Sequence, residues 1–297
     1  MPYITVFTPI YNREKTIERV YNSLLSQSFK DFEWVIVDDG STDNSVKVIE
    51  KIISMNNSFS ITFFENEHGG KHRAVNKGLQ LAKGKLFFML DSDDWLTDDA
   101  LQTVVDWEKK IPQGEKCAGL CGCMQDPNGN LISIGLSKNY IFMPLTTMIK
   151  NGVSGDHADI LFTDVFRNYP YPEIQGEYHI APGVPFVRMA NDGYNLMFFN
   201  DVIYVAEYGP DGLTAMGDKK SLDNFEGYSL RSRELLKSDI GCKRKLEILI
   251  KYNYLALRQK LNIKQVANKL DISISLVAIG RAIAKVYILL HRDGIRQ

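Results

Sequence analysis

The sequence predicts an α/β fold, a doubly wound parallel sheet with helices on both faces, followed by a helical C-terminal region. Three observations predict it. Short apolar runs alternate with helix-periodic segments through the first hundred residues, the succession that builds parallel strands joined by crossover helices. The runs are apolar throughout rather than at every second residue, as in strands covered on both faces. Polar residues collect just after each run: Asn12, Asp38 and Asp39, Asn66, then Asp91 to Asp94. In open α/β sheets, ligands bind beyond the carboxyl ends of the strands.

The elements follow in order. "YITVFTPIY" reads as the first strand, and Ile17, Val20 and Leu24 place a helix after it. "EWVIVDD" is the second strand, followed by a helix burying Val46, Ile49 and Ile53, which Ser41, Thr42 or Asp43 can cap. "SITFFEN" is the third. Val75, Leu79 and Ala82 mark the next helix, with Gly84 closing it. "KLFFML" is the fourth strand. Thr97 is expected to cap the helix that begins "DDALQTVV", with Asp98 and Asp99 in its first turn. From about Cys117 to Ala215 the pattern mixes short strands with glycine, proline and aromatic-rich loops, and beyond Gly217 it turns helical and lysine-rich.

Composition narrows the functional class. The chain has 297 residues and a formal net charge of −1, so no global field argues for nucleic acid. Three of its four cysteines, Cys117, Cys121 and Cys123, fit neither a zinc ribbon nor a disulfide framework. They read as buried free thiols in a reducing compartment. No leader pattern precedes the first strand, and no apolar run reaches the ~18 residues of a membrane span. The expected location is the cytoplasm.

The chemistry is carried by three clusters. Asp91, Asp93 and Asp94 stand together at the end of a buried strand, where crowded carboxylates resist ionisation unless a cation joins them. Hard oxygen ligands select Mg²⁺ or Mn²⁺. In "VDDGSTDNS", Gly40 permits a tight turn, and the two aspartates before it exceed what helix capping needs. In "HGGKHRAVNKGL", Lys71, His72 and Arg73 open a helix and can meet anionic oxygen, although solvated charges on a turn explain them equally well. Neither a dinucleotide fingerprint nor a P-loop is present.

Taken in register, "TPIYNRE", "VDDGSTDNS", "GGKHRAVNKGL" and "LDSDDWL" resemble the family 2 glycosyltransferases of the GT-A fold, closely from about Ile4 to Leu101 and more loosely to Thr214. The resemblance implies a glycosyltransferase domain over 1–216, with a nucleotide-binding half (1–115) and an acceptor-side half (116–216), and a helical region over 217–297. It implies inverting transfer of a sugar from a nucleotide-diphospho-sugar, a UDP-sugar by preference, to a polysaccharide or lipid-linked glycan. "DSDD" resembles the D-x-D motif that holds Mn²⁺ or Mg²⁺ against the diphosphate. Carried over by position, Pro9, Tyr11 and Asn12 would line the nucleotide pocket. Asp39, with Asp38 beside it, would meet the base, and Lys71 the base or phosphate. Asn76 and Ser92 fall in the same donor site. Asp91 would approach ribose or metal, Asp93 would bind metal, and Asp94 would join it.

One departure concerns the general base. Family members carry a carboxylate shortly before an arginine, but counting back from Arg188 reaches Pro182 and Ala181. Glu177, in the turn "QGEYH", is the nearest upstream replacement and the expected base, with Asp156 and Asp159 of "SGDHAD" as the others. His157 and His179 are further conceivable metal ligands, though lone loop histidines are usually only hydrogen-bonded. The vacant slot keeps two rivals open, a catalytically silent nucleotide-sugar binder and a metal-dependent nucleotidyltransferase that would release pyrophosphate. "YVAEYGPDGLT", with Gly209, Pro210 and Gly212, reads as a mobile loop or a connecting turn. In the last helix Leu276, Ile279, Ile283, Val286 and Leu290 form a stripe, with Arg281, Lys285 and Arg292 off it. Such a helix either packs on protein or lies peripherally on a membrane surface.

Overall fold

The computed structural model describes residues 1–55, 57–134, 138–208 and 217–290. The loop glycines at 209 and 212, Pro210 and Arg292 lie outside the described residues. The chain divides into two compact units, residues 1–173 with 188–209, and residues 174–187 with 210–297.

The first unit is built on a nine-stranded sheet. In chain order its elements are β1 (Ile4–Ile10), α1 (Ile17–Leu25), β2 (Phe32–Asp38), α2 (Ser45–Ile53), β3 (Ser60–Glu65), α3 (Lys71–Leu81), β4 (Leu86–Met89), β5 (Trp95–Leu96), α4 (Ala100–Glu108), β6 (Cys117–Gln125), β7 (Tyr140–Met143), β8 (His157–Phe162), α5 (Thr163–Phe166), α6 (Val184–Asn191), which runs across the division between units, and β9 (Asn195–Val205). The sheet order is β3-β2-β1-β4-β8-β6-β9-β5, with β7 paired to β9. The first four are parallel, as the alternation predicted, and β8 then enters antiparallel between β4 and β6. The α/β reading is thus borne out, with a mixed second half.

Period-2 geometry sends alternate strand residues to opposite faces. Val6, Trp34, Ile36 and Phe88 join the core shared with Ile17, Val20 and Leu24 of α1, Ile49 of α2 and Val104 of α4. Phe7 faces the other way and meets α3, where a Cβ on Gly78 would come within 2.2 Å of its ring. On that face Phe87 also packs edge-on to Phe166 of α5. The buried face of α2 is Ile49 and Ile52, while Ile53 is exposed, one residue off the expected stripe. Thr97 does not cap α4. Asp99 occupies the N-cap position, and Thr97 bonds through its N–H to Ile203 O and through its hydroxyl to Val202 O, both on β9. Asn44, not an earlier residue, is the N-cap of α2.

The cysteine expectation holds: Cys117, Cys121 and Cys123 are buried free thiols on β6, and Cys242 is free and exposed.

The second unit holds α7 (Gly217–Asp223), α8 (Phe225–Lys237), α9 (Cys242–Arg258), α10 (Ile263–Leu270) and α11 (Ile274–Leu290). Phe225, Tyr252, Leu255, Val266, Leu270 and Val277 form its core. No helix among the described residues is long and apolar enough to cross a membrane.

Candidate active site

The acidic turn leaves the end of β4, whose residues Leu86 to Phe88 are fully buried. Asp91, Asp93 and Asp94 each offer a carboxylate oxygen, and these atoms lie within 4.8 Å of one another. Such crowding penalises ionisation. Burial, with the Asp91 charge behind it, pushes the Asp94 carboxyl up to about 7. Two hydrogen bonds work against that shift, from the Glu207 N–H (2.9 Å) and the Tyr204 hydroxyl (2.8 Å).

Cations answer part of this charge. Lys71 Nζ lies 2.6 and 2.8 Å from the two oxygens of Asp91. Burial opposes the ammonium, yet Asp91, with Asp93 and Asp94, holds its pKa above the ordinary lysine value. Arg13 Nη2 is 3.4 Å from Asp93 Oδ2. Arg19 donates to the Asp93 carbonyl and lies 4.2 Å above the Trp95 ring. Three converging carboxylates, one of them driven toward protonation, are a donor set suited to a hard divalent cation. Asp91, Asp93 and Asp94 are the residues that would hold it.

The neighbouring strand ends form a second group. Asp38 Oδ2 accepts from the N–H groups of Gly40 (3.1 Å) and Ser41 (2.9 Å), closing a turn in which Gly40 has φ +75°. Its Oδ1 is buried without a hydrogen-bond partner. Asp39 binds the glycine loop: its carboxylate accepts from the N–H of Gly69 at 2.9 Å and of Gly70 at 2.8 Å. Because Gly70 directly precedes α3, this grip fixes where Lys71 starts. Asn12 adopts φ +53°, and its side-chain oxygen accepts from the N–H of Thr42 at 2.8 Å. Tyr11, 41 % exposed, stacks on His68 with centroids 4.5 Å apart. Aromatic faces presented in this way suit a nucleobase. Pro9 is buried within β1.

The other residues singled out by sequence are placed less centrally. Ser92 is buried beside the aspartates. Asn76 ties α3 to residues 171–173, donating to Tyr171 O and Glu173 Oε1 and accepting from the Tyr171 N–H, each at 2.9 Å. Asp156 is exposed and accepts from the Tyr208 hydroxyl at 2.6 Å. The His157 ring bonds Gly155 O at 3.1 Å. Glu177 belongs to the second unit. Its two carboxylate oxygens accept from the N–H of Glu226 (2.6 Å) and Gly227 (2.7 Å) in the first turn of α8, where they satisfy orphan donors.

Several participants had no signal in the sequence. Tyr204 on β9 reaches the acidic turn from 110 residues away. Arg13 and His68 sit inside recognised motifs but carry no spacing rule of their own. Asp159, by contrast, was among the carboxylates the sequence offers as a base; it is half-buried on β8 and feels both Lys71 and Asp91. Burial pushes its carboxyl up to about 7, against the hydrogen bond at 3.3 Å from Cys121 Sγ.

Comparison with known proteins bears out the motif resemblance. Residues 5–144 match the family described as Glycosyl transferase family 2. An uncharacterized glycosyltransferase of Haemophilus influenzae is 37% identical over 102 residues, which is 34% of this chain and 40% of that protein. The chain thus spans well under two thirds of that relative's length. Among solved structures, S. aureus TarS 1-349 in complex with UDP-GlcNAc is similar with a TM-score of 0.59 at 20% identity, over 90% of this chain and 79% of that one. The mannosyltransferase PcManGT from Pyrobaculum calidifontis, in complex with GDP-Man and Mn²⁺, gives 0.57 at 18%, over 97% and 81%. At these identities the likeness shows a shared fold, the GT-A sheet followed by helices.

Proposed function

We propose that the chain is an inverting glycosyltransferase using a nucleoside-diphosphate sugar, a UDP-sugar by preference, and a divalent cation, Mn²⁺ or Mg²⁺. The observation that carries this reading is the convergence of Asp91, Asp93 and Asp94 at the β4 end, beside Lys71 and the Tyr11–His68 stack. Asp91, Asp93 and Asp94 would hold the cation, which would supply Lewis-acid stabilisation of the charge on the departing nucleoside diphosphate. Lys71 adds a mobile ammonium for the same phosphates, and the Tyr11–His68 stack receives the base. The acceptor hydroxyl attacks the anomeric carbon opposite the diphosphate. A bond to the acceptor oxygen forms as the bond to the phosphate oxygen breaks, and the hydroxyl proton passes to a carboxylate. We assign that role to Asp159, which lies on β8 within the field of Lys71 and Asp91 and whose carboxyl burial pushes up to about 7, toward the range of a base at neutral pH, with Asp156 and Glu177 as the alternatives.

The acceptor class we assign is a polysaccharide or a lipid-linked glycan. A lipid-linked acceptor is supported by α11, where Leu276, Ile279, Ile283 and Val286 are 38–54 % exposed along one stripe; the Leu290 side chain lies outside the described set. Ile279→Glu with Val286→Glu should abolish sedimentation with lipid vesicles, and unchanged sedimentation would remove the stripe from membrane contact.

Calorimetric titration with UDP, GDP and CDP, with and without Mn²⁺, on wild type and Asp93→Ala tests the reading. Metal-dependent binding of one nucleotide, lost in the variant, is expected. Binding to none of the three would overturn the donor site, and binding without turnover would favour a silent relative.

A further inference from the structure

The second unit contains a buried cation with no counter-charge among the described residues. Arg281, on α11, is only 8 % exposed. Gly280 lets α11 approach α9 closely, since a Cβ there would meet Leu249 at 2.6 Å. That approach draws the next residue below the surface. Arg281 Nε donates to Asn253 Oδ1 at 3.2 Å and Nη1 to Leu261 O at 2.8 Å, both neutral acceptors. Nη2 has no hydrogen-bond partner among the described residues. Burying a charge without an opposite charge is costly, and proteins rarely do so without a use for it.

The surroundings increase the positive field. Arg281 lines a groove of about 480 Å³ together with Asn262, Ile263, Lys264 and Lys285. Among the described residues none of the three cations forms an ion pair, and no carboxylate lines the groove. The groove also borders the N-terminus of α10, where Asn262 uses its side chain on the Gln265 N–H. The first-turn N–H groups of Ile263 and Lys264 add the positive end of the helix dipole.

We propose that this groove is a binding site for a phosphate-type oxyanion, held by Arg281, Lys264 and Lys285. The site shares no residue with the aspartate cluster and needs no metal. Its phosphate can be soluble or the head group of a lipid. On the helix wheel the exposed apolar stripe of α11 lies on the side away from Arg281, so this groove and that stripe do not form one membrane-facing plane.

The test uses the full chain in the presence of EDTA, so that metal-dependent diphosphate binding is silent. Inorganic phosphate and pyrophosphate are titrated calorimetrically into wild type, Asp93→Ala, and the surface double variant Lys264→Ala with Lys285→Ala, which leaves the helix core intact. Arg281→Lys serves as a third variant, with folding checked by circular dichroism. Vesicles of phosphatidylcholine with and without phosphatidic acid form the lipid arm. One-site binding retained in Asp93→Ala and weakened about tenfold or more in the double variant is the expected result. Vesicle binding that requires phosphatidic acid, Lys264 and Lys285, without soluble binding, supports the site and names lipid phosphate as its ligand. No binding in either arm, or binding indifferent to the double substitution, overturns the proposal. Loss of nucleotide binding at the aspartates would leave it untouched.

Discussion

Tyr204 and Asp94 stand 110 residues apart in the chain, and the Tyr204 hydroxyl donates to the Asp94 carboxylate at 2.8 Å. The same oxygen accepts from the Asp91 N–H at 2.9 Å. One phenol on β9 thus fixes both ends of the acidic turn, and burial with two nearby carboxylates raises its own pKa well above the ordinary tyrosine value. Tyr204→Phe leaves a buried N–H and a buried carboxylate each short of a partner. The expected loss is about 2–3 kcal/mol of stability in urea unfolding, accompanied by weaker Mn²⁺ binding. A variant that loses stability but keeps its metal affinity would show that the turn holds its geometry without Tyr204.

The Lys71–Asp91 pair makes a different demand. Both side chains are partly exposed, so the pair itself adds little stability. On the proposed function, Lys71 would instead occupy Asp91 until phosphate arrives. Lys71→Ala should therefore leave Mn²⁺ binding unchanged or tighter, because a competing cation is gone. Nucleoside diphosphate binding should weaken by about 1.5–3 kcal/mol, ten- to a hundredfold in Kd, as a charge-assisted contact is lost. Equal losses for metal and nucleotide would make Lys71 a structural residue.

These two cases show what the sequence could and could not reveal. The strand ends were legible because buried parallel strands are continuous apolar runs, so "KLFFML" followed by "DSDD" marks the carboxyl end of a strand directly. Asp39 was legible as important but not in its contact. Its carboxylate grips Gly69 and Gly70, a link across 30 residues that no local pattern encodes. Tyr204 was invisible for the same reason. Nearness to Arg188 in sequence points to Glu177, whereas its oxygens meet the start of α8. Thr97 fitted the capping pattern, but pairing with β9 took its hydrogen bonds. Local rules describe the chain until tertiary partners compete for the same polar atoms.

The base assignment separates by substitution. Asp159→Asn should lower kcat by about 10²-fold or more, the usual scale of general-base catalysis, with donor affinity retained. Glu177→Gln should instead lower the melting temperature through α8 and spare kcat, since a buried cap is weakened. Normal kcat in Asp159→Asn, with turnover lost in Asp156→Asn or in a folded Glu177→Gln, would transfer the role.

Close packing places α3, and with it Lys71. Gly78→Ala drives a methyl group into the Phe7 ring, whose nearest atom would be 2.2 Å away. Alanine gains about 1 kcal/mol in helix propensity, but overpacking costs about 1–3 kcal/mol, so a net destabilisation is expected in the urea midpoint. Because α3 must shift outward, nucleotide affinity should fall as well. A variant as stable as wild type would mean that α3 is free to move on β1.

Stability should depend on pH through buried groups of opposite sign, His72 against the raised carboxyls of Asp159 and Asp94. His72 is 3 % exposed, neither ring nitrogen has a hydrogen-bond partner, and burial, aided by Arg73, lowers its pKa from 6.5 to about 4. Between those values the unfolded chain holds a proton that the native chain refuses. The His72 contribution is therefore complete above pH 6.5 and is lost as pH falls toward 4, on the order of 3 kcal/mol. Asp159 acts in reverse. Its carboxyl, raised from 3.8 to about 7, holds a proton in the native state over that interval, so its contribution is present at low pH and is lost as pH rises through 7. In wild type the two slopes oppose each other between pH 4 and 6.5. His72→Leu should remove the destabilisation on acidification and leave stability falling as pH rises, while Asp159→Asn should flatten the profile between pH 4 and 6.5, where Asp94, raised likewise to about 7, still opposes His72. Urea midpoints measured from pH 4 to 8 on the three proteins decide it. Parallel profiles would mean that neither group is titrating in its buried environment.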